Sequence, residues 1–291
     1  MTILYLTFGE KTEFHVQAYL SMLSFKRQLT PDDRIVMVTT VPEVYKRVAS
    51  WADIVHIDAK QIDEWKGKHQ YLFRVKTMVI RQLITRYSND HLLFLDTDTF
   101  LYGSLEQIRD LLNNGQAIMH KDEGVLCQMK GPSLRMWKTV AGREYAGIVI
   151  GPEYHMWNSG IIGMPHEKMK EIIDDTLTML DGMLDDGVDS FNIEQFAMSV
   201  SMLTHAHVVE GDGFVGHYWG NKQEWLQLAS ELLLNSYMRD CTLEAELEQV
   251  VNILLSPTPI YIHHSNTARR LKVIIDRLFP DRDFRFVQKR T

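Results

Sequence analysis

Short apolar runs alternate with segments of helical period through the first hundred residues or so. That alternation constrains the fold more than any other feature of the chain. Ile3–Phe8, Arg34–Thr39, Ile54–Ile57 and the run ending at Leu95 each read as strands. Between them, Phe14–Leu29 carries Val16, Tyr19, Leu20 and Leu23 at helical spacing. Pro42–Trp51 opens with a proline suited to a first helical turn. Arg74–Tyr87 sets Val75, Met78, Val79 and Leu83 on one face. Strands that alternate with helices build a parallel sheet with right-handed crossovers. The expected fold class is therefore α/β, with a mostly parallel central sheet flanked by helices.

The alternation weakens after Asp98. A helix capped by Ser104 is expected over Ser104–Asn113, and strands over Ala117–His120 and Ser159–Met164. Lys121–Gly151 reads as polar and irregular. Helices are expected over Glu167–Leu184, Ser190–Leu203, Trp225–Asn235, Thr242–Leu255 and Thr267–Phe279. Gly211–Gly220 reads as a loop rich in glycine and aromatic residues. The expected organisation is one domain over 1–225, in halves 1–100 and 101–225, then a helical C-terminal extension over 226–291.

One run carries chemistry. Leu92-Leu93-Phe94-Leu95 reads as a strand buried on both faces, and it ends in Asp96-Thr97-Asp98-Thr99. Residues i and i+2 of an extended segment point to one side, so Asp96 and Asp98 form a carboxylate pair at the carboxyl end of an interior strand. Open α/β sheets bind their ligands there. Paired carboxylates repel unless a cation or a shared proton lies between them. The plain alternative is two solvated aspartates in a turn. The apolar run that delivers them argues against it.

His217 lies in Gly216-His217-Tyr218-Trp219-Gly220-Asn221-Lys222. Two carboxylates and an imidazole suit Mn²⁺, with Mg²⁺ as the alternative. Lys222 can hold a phosphate as a point charge, and Gly216 and Gly220 let backbone approach a ligand. Weaker signals are Asn158-Ser159-Gly160 before a strand, Glu194-Gln195 in a helix, and Arg74 and Lys76 at a helix start. Each of these alone is as well explained by turns and solvated helix faces. His205/His207 and His263/His264 read as structural.

Composition excludes some classes. The net charge of −7 argues against a nucleic-acid partner. Cys127 and Cys241 make no disulfide framework and fit a reducing compartment. Residues 1–10 lack a basic leader, so no signal peptide is expected and the expected location is the cytoplasm. No apolar run reaches the ~18 residues that span a bilayer. From Arg269 to Thr291 basic residues prevail, and Arg269, Arg270, Lys272 and Arg277 interleave with Leu271, Val273, Ile274, Ile275 and Leu278. Peripheral contact of this helix with an anionic membrane is one expectation, and packing on the body is the other.

Together these motifs resemble the GT-A-fold nucleotide-sugar glycosyltransferases, most closely family 8, the glycogenin-like and bacterial lipopolysaccharide enzymes. Leu93-Phe94-Leu95-Asp96-Thr97-Asp98 resembles that family's metal motif, Asn158-Ser159-Gly160 its "fNsG", Glu194-Gln195 its "DQ", and His217–Trp225 its "HxxGxxKPW". The chain departs from the pattern at Glu194, at Lys222, which falls one position early, and at Gln223-Glu224. The resemblance implies a Rossmann-like sheet, with 1–100 as the nucleotide-binding half and 101–225 as the acceptor half. It implies transfer of a hexose, with retention, from a nucleotide-diphosphate sugar (UDP-sugar first) to a glycan or lipid-linked acceptor. It implies Asp96, Asp98 and His217 as metal ligands. Donor contacts would come from Thr7, Phe8, Gly9, Arg74, Lys76, Asp96, Thr97, Ser159, Gly220 and Lys222. Catalytic roles would fall to Asn158, Glu194 and Gln195. Two rivals stand beside it. A haloacid dehalogenase-type phosphohydrolase would use Asp96 as nucleophile and Asp98 as acid/base. A non-catalytic sugar-nucleotide binder would use the same fold.

Overall fold

The computed structural model describes residues 1–253, 255, 258–262 and 266–280. His263, His264, the side chain of Arg269 and the basic residues after 280 lie outside the described residues. The strands are β1 (Thr2–Thr7), β2 (Arg34–Thr39), β3 (Asp53–His56), β4 (Leu92–Leu95), β5 (Thr99–Leu101), β6 (Ala117–Val125), β7 (Glu144–Tyr145), β8 (Ile148–Val149), β9 (His155–Met164), β10 (Val208–Glu210) and β11 (Val215–His217). The helices are α1 (Thr12–Lys26), α2 (Ala59–Trp65), α3 (Arg74–Arg86), α4 (Leu105–Asn113), α5 (Pro132–Val140), α6 (Met169–Asp185), α7 (Ile193–His205), α8 (Lys222–Met238), α9 (Leu243–Val251) and α10 (Asn266–Leu278).

Seven strands form the central sheet in the order β10-β6-β9-β4-β1-β2-β3. The fold is α/β and the sheet is mostly parallel, as the alternation requires. The exception is β9, antiparallel to both β4 and β6. Side chains alternate across the sheet. Ile3, Tyr5, Leu93 and Leu95 pack toward α1, α4, α8 and α9. Leu4, Leu92 and Phe94 pack toward α2, α3, α6 and α7. A third cluster joins α5 and the β7–β8 hairpin to α6 and α7.

Helix α1 is buried along nearly its whole length. A helix enclosed on all sides needs no polar face. The sheet covers one side of α1, and α8 and α9 cover the other. Trp225 anchors this arrangement: it is buried, stacks on Tyr218 at 4.6 Å, and meets Phe100 at 5.4 Å. Residue 225, taken above as the last of the main domain, thus lies inside α8.

Several expectations change. Pro42–Trp51 is not an α-helix: a 3₁₀ turn covers Pro42–Tyr45, and i→i+3 bonds continue to Trp51. The segment is short and buries Tyr45 and Val48 through tight turns. Helix α2 was not foreseen, although Asp58 caps it by accepting from the Gln61 backbone N–H. The segment 121–151 holds the rest of β6, α5 and a hairpin rather than irregular chain. The expected loop 211–220 contains β11, which pairs antiparallel with β5, also unforeseen. The expected helix over Thr242–Leu255 ends at Val251.

Trp225→Ala is expected to destabilise the chain by about 3–5 kcal/mol, the usual loss for a buried large aromatic. Urea unfolding measures it. A second expectation concerns acid. The His91 Nδ1 accepts the His166 backbone N–H at 3.1 Å, so its Nε2–H donates to Asn113 Oδ1 at 2.9 Å. Burial lowers the His91 pKa, more than the bond to Asn113 raises it. The unfolded chain therefore takes up this proton first, near pH 6.5, and stability falls as the pH drops below that value. His91→Gln should lose that part of the slope in melting curves run from pH 7 to pH 5.

Candidate functional site

In the sheet order, β2 and β4 flank β1, with Tyr5 beside Leu95. The chain steps outward from β1 to β2 and β3, then back to β4 on β1's other side. Such a reversal opens a crevice beyond the carboxyl ends of the strands. Thr7-Phe8-Gly9 borders it from β1, and Asp96-Thr97-Asp98 from β4. The Asp96 backbone N–H donates to Gly160 O at 2.9 Å, which sets Asn158-Ser159-Gly160 of β9 alongside.

His217 arrives by a separate route. The β5–β11 pairing sets it opposite Thr99, and the Tyr218 N–H donates to Asp98 O at 3.0 Å. A hydroxyl chain fixes β5 from behind. Thr99 donates to the Asp96 carbonyl at 2.8 Å, so Ser21 donates to Thr99 (2.8 Å) and Tyr5 to Ser21 (2.9 Å). The serines within apolar α1 thus have a purpose: Ser21 holds Thr99, and Ser24 accepts the Leu101 N–H.

The result is a convergent group. His217 Nε2 lies 3.5 Å from Asp98 Oδ1 and 4.0 Å from Asp96 Oδ2. One ligand atom from each of the three lies within 4.8 Å of the others. Asp98 and His217 are only 4% and 7% exposed. Burial alone would raise the Asp98 pKa, but hydrogen bonding and charge from His217, then from Lys222, hold it below the usual carboxylate range. His217 donates its Nδ1–H to Asn158 Oδ1 at 3.1 Å and turns Nε2 toward the carboxylates, where a cation would take it as a ligand. Gly160 makes room for the ring: a Cβ there would lie 2.2 Å from His217 Cε1. Two carboxylates and an imidazole with a free Nε2 fit a divalent cation such as Mn²⁺ or Mg²⁺.

Around this group stand charges of both signs. The Lys222 ammonium lies 2.7 Å from Asp98 Oδ2. Lys76 is buried; it donates to Ser159 O and Oγ at 2.7 and 3.0 Å and lies 3.6 Å from Asp96 and 3.7 Å from Glu194. Glu194 is fully enclosed behind Lys76, and burial raises its pKa against the pull of that ammonium. Gln195 instead points outward and donates to Glu123 Oε2 at 3.0 Å. Asn158 donates to Glu123 Oε1 at 3.0 Å.

Other expected donor contacts are arranged differently. Arg74 is committed elsewhere, bidentate to Asp181 at 2.8 and 2.9 Å and bonded to Trp65 O. Thr7 is buried and bonds Thr39 and Tyr45 rather than facing the crevice. The Gly9 N–H donates to Thr40 Oγ1, and its carbonyl accepts from His15. Phe8 packs, half-buried, against the α2–α3 side of the core. Thr97 sits half-buried in the turn between the two aspartates. Gly220 accommodates Tyr261.

A cavity of about 830 Å³ opens beside His217, bounded among others by His120, Glu123, Asn158, Tyr102 and Trp219. The 258–261 segment closes one side, because Asn221 and Trp225 both donate to Pro259 O. His120, Glu123 and Tyr102 carried no motif and were not foreseen. The His120 ring stands edge-on to His217 at 5.0 Å, and burial, with His217 nearby, takes its pKa down to about 4. A second group, His91, His166 and Glu167, also brings three donor atoms within 4.8 Å, but both His91 nitrogens are already bonded. His205 pairs with Asp175, as a structural histidine would.

Folds that overlay on part of this chain include glycosyltransferases. One is the bifunctional WbbM glycosyltransferase in its apo form, at 14% identity and TM-score 0.45. The overlay covers 72% of this chain and 38% of that one, so the present chain spans well under half of WbbM. Mouse xyloside xylosyltransferase 1, apo, overlays at 13% identity and TM-score 0.49, covering 72% of this chain and 85% of that one. The galactosyltransferase LgtC, solved with donor and acceptor sugar analogues, overlays at 12% identity and TM-score 0.46, covering 72% and 73%. No protein-family model and no curated protein sequence matches the chain.

Gly160→Ala is expected to displace the His217 ring while leaving the sheet folded. The expected result is loss of the thermal shift produced by Mn²⁺, with a melting temperature close to native in a chelator.

Proposed function

We propose that the chain is a metal-dependent glycosyltransferase of the GT-A type that moves a hexose from a nucleotide-diphosphate sugar to a glycan or lipid-linked acceptor. The observation that carries this reading is the convergence of Asp96, Asp98 and His217 in a crevice at the carboxyl ends of β1 and β4. A divalent cation held by these three residues would supply Lewis-acid stabilisation of a departing diphosphate. Lys222 adds a mobile positive charge beside the same carboxylate. Lys76 fixes a second charge under Asp96 and keeps the floor of the site compensated. Asn158 lies at the cavity wall and Gln195 is tied to it through Glu123, which leaves both amides near where a donor sugar would sit. The crevice beside Gly9 would take the base and ribose, with UDP as the first candidate. The cavity between Tyr102 and Trp219 would take the acceptor ring, since aromatic faces pack well on sugars. Retention of configuration follows from the family resemblance alone.

The phosphohydrolase reading needs Asp98 to carry a proton. Its depressed pKa under His217 and Lys222 weighs against that role.

Helix α10 extends the proposal. Leu271, Ile274, Ile275 and Leu278 follow i, i+3, i+4, i+7 spacing and are all exposed, with Arg270, Lys272 and Arg277 beside them. We assign it peripheral contact with an anionic membrane surface. Among the described residues no helix is long and apolar enough to cross a membrane.

The native chain, offered UDP-, GDP- and TDP-sugars with Mn²⁺, is expected to release nucleoside diphosphate from one of them. Asp98→Asn should lose this release and the Mn²⁺-dependent thermal shift together. Silence of the native chain across all donors, with binding retained, would favour a non-catalytic binder. For α10, the native chain is expected to co-sediment with anionic liposomes and a chain ended before Asn266 is not. Equal sedimentation would remove the membrane assignment.

A further inference from the structure

Glu123 lies on neither of the elements that carry the metal ligands, yet it reaches His217 through Asn158. Strand β6 loses register with β9 twice, between Met119 and Lys121 and between Asp122 and Val125. Such bulges re-aim side chains. The second one is tightly held. Asp122 accepts from the Gly124 N–H at 2.7 Å and pairs with His155 Nδ1 at 2.7 Å, while its own N–H donates to Glu210 at 3.2 Å. Gly124 has φ +101°, a conformation that favours glycine. The Glu123 carboxylate is thereby fixed between two amides from different elements, Asn158 Nδ2 of β9 and Gln195 Nε2 of α7, each at 3.0 Å.

A carboxylate only accepts, whereas an amide can turn either its oxygen or its nitrogen to a neighbour. Glu123 therefore requires Asn158 to point its NH₂ outward and its oxygen inward. The inward oxygen accepts from the Gly160 N–H at 3.0 Å and from His217 Nδ1 at 3.1 Å. If Asn158 turned over, its NH₂ would face the His217 Nδ1. The imidazole would then have to carry its proton on Nε2, against Asp96 and Asp98, where no cation could be bound. Partners of this kind orient metal-bound histidines and fix their tautomer.

We propose that Glu123 is a positioning residue: through Asn158 it fixes the His217 tautomer that offers Nε2 to the cation, and through Gln195 it ties that arrangement to α7. This rests on reading Asp96, Asp98 and His217 as a cation site.

The test is titration of the full-length chain with Mn²⁺ alone, followed by the EPR signal of free Mn²⁺. Glu123→Gln keeps the shape but no longer dictates the amide: with its oxygen toward Gln195, its NH₂ faces Asn158 and turns that amide over. Its dissociation constant is expected to rise about tenfold or more, the usual effect of losing such a partner. Asn158→Asp alone sets two carboxylates against each other and should also weaken binding. The double variant Glu123→Gln/Asn158→Asp exchanges donor and acceptor. The carboxylate at 158 accepts from His217 and from the new amide at 123, whose oxygen accepts from Gln195. It is expected to recover most of the lost affinity. Recovery of this kind is not expected of residues that merely support the fold. Native-like binding by Glu123→Gln, or a double variant no tighter than the single ones, would overturn the inference while leaving the cation site standing. Absence of Mn²⁺ binding by the native chain would remove the cation site and this inference with it.

Discussion

The site depends on the compensation of carboxylates that the fold draws together out of water. Asp98 and Glu194 are buried and Asp96 lies half-buried beside them, and their mutual repulsion must be offset. Lys76 answers Asp96 and Glu194 from below, and Lys222 answers Asp98 from the side. The two ammoniums differ in kind. Lys76 is buried and fixed by Ser159, while the Lys222 side chain is about half exposed and pairs with Asp98 at 2.7 Å. One enclosed charge and one half-exposed charge thus offset the carboxylates from two sides.

The architecture that sets up this balance was largely legible in the sequence. Apolar runs at Ile3, Arg34, Ile54 and Leu92 are too long and too regular to be loops, and the strand–helix alternation leaves few topologies. Asp96, Asp98 and His217 were each visible as residue types in telling surroundings. What was not legible is what pairing decides. Nothing local says that β9 runs antiparallel, because a buried strand reads alike in either direction. Nothing local says that Thr99–Leu101 is a strand, because three residues carry no period. Glu123 sits in a polar stretch whose meaning comes from two bulges, and bulges are set by the partner strand. Arg74 and Thr7 show the converse: residues in suggestive positions whose side chains are committed to Asp181 and to Thr39.

Hydrogen-bond direction runs through the site as a chain of forced choices. A carbonyl at Asp96 makes Thr99 a donor, which makes Ser21 and then Tyr5 donors in turn. A carboxylate at Glu123 makes two amides donors. Each choice is cheap alone, but together they hold β5 and the Asn158 amide in one arrangement, and that is how a fold pre-organises a site.

The pairing of β5 with β11 has one more consequence. Thr99 and His217 are roughly a hundred and twenty residues apart in the chain. Contacts so distant in sequence form late, after the loop between them has been ordered. The three residues of the cluster thus come together only where β11 is paired with β5, so a cation held by them would bind the folded chain and not its first hundred residues alone.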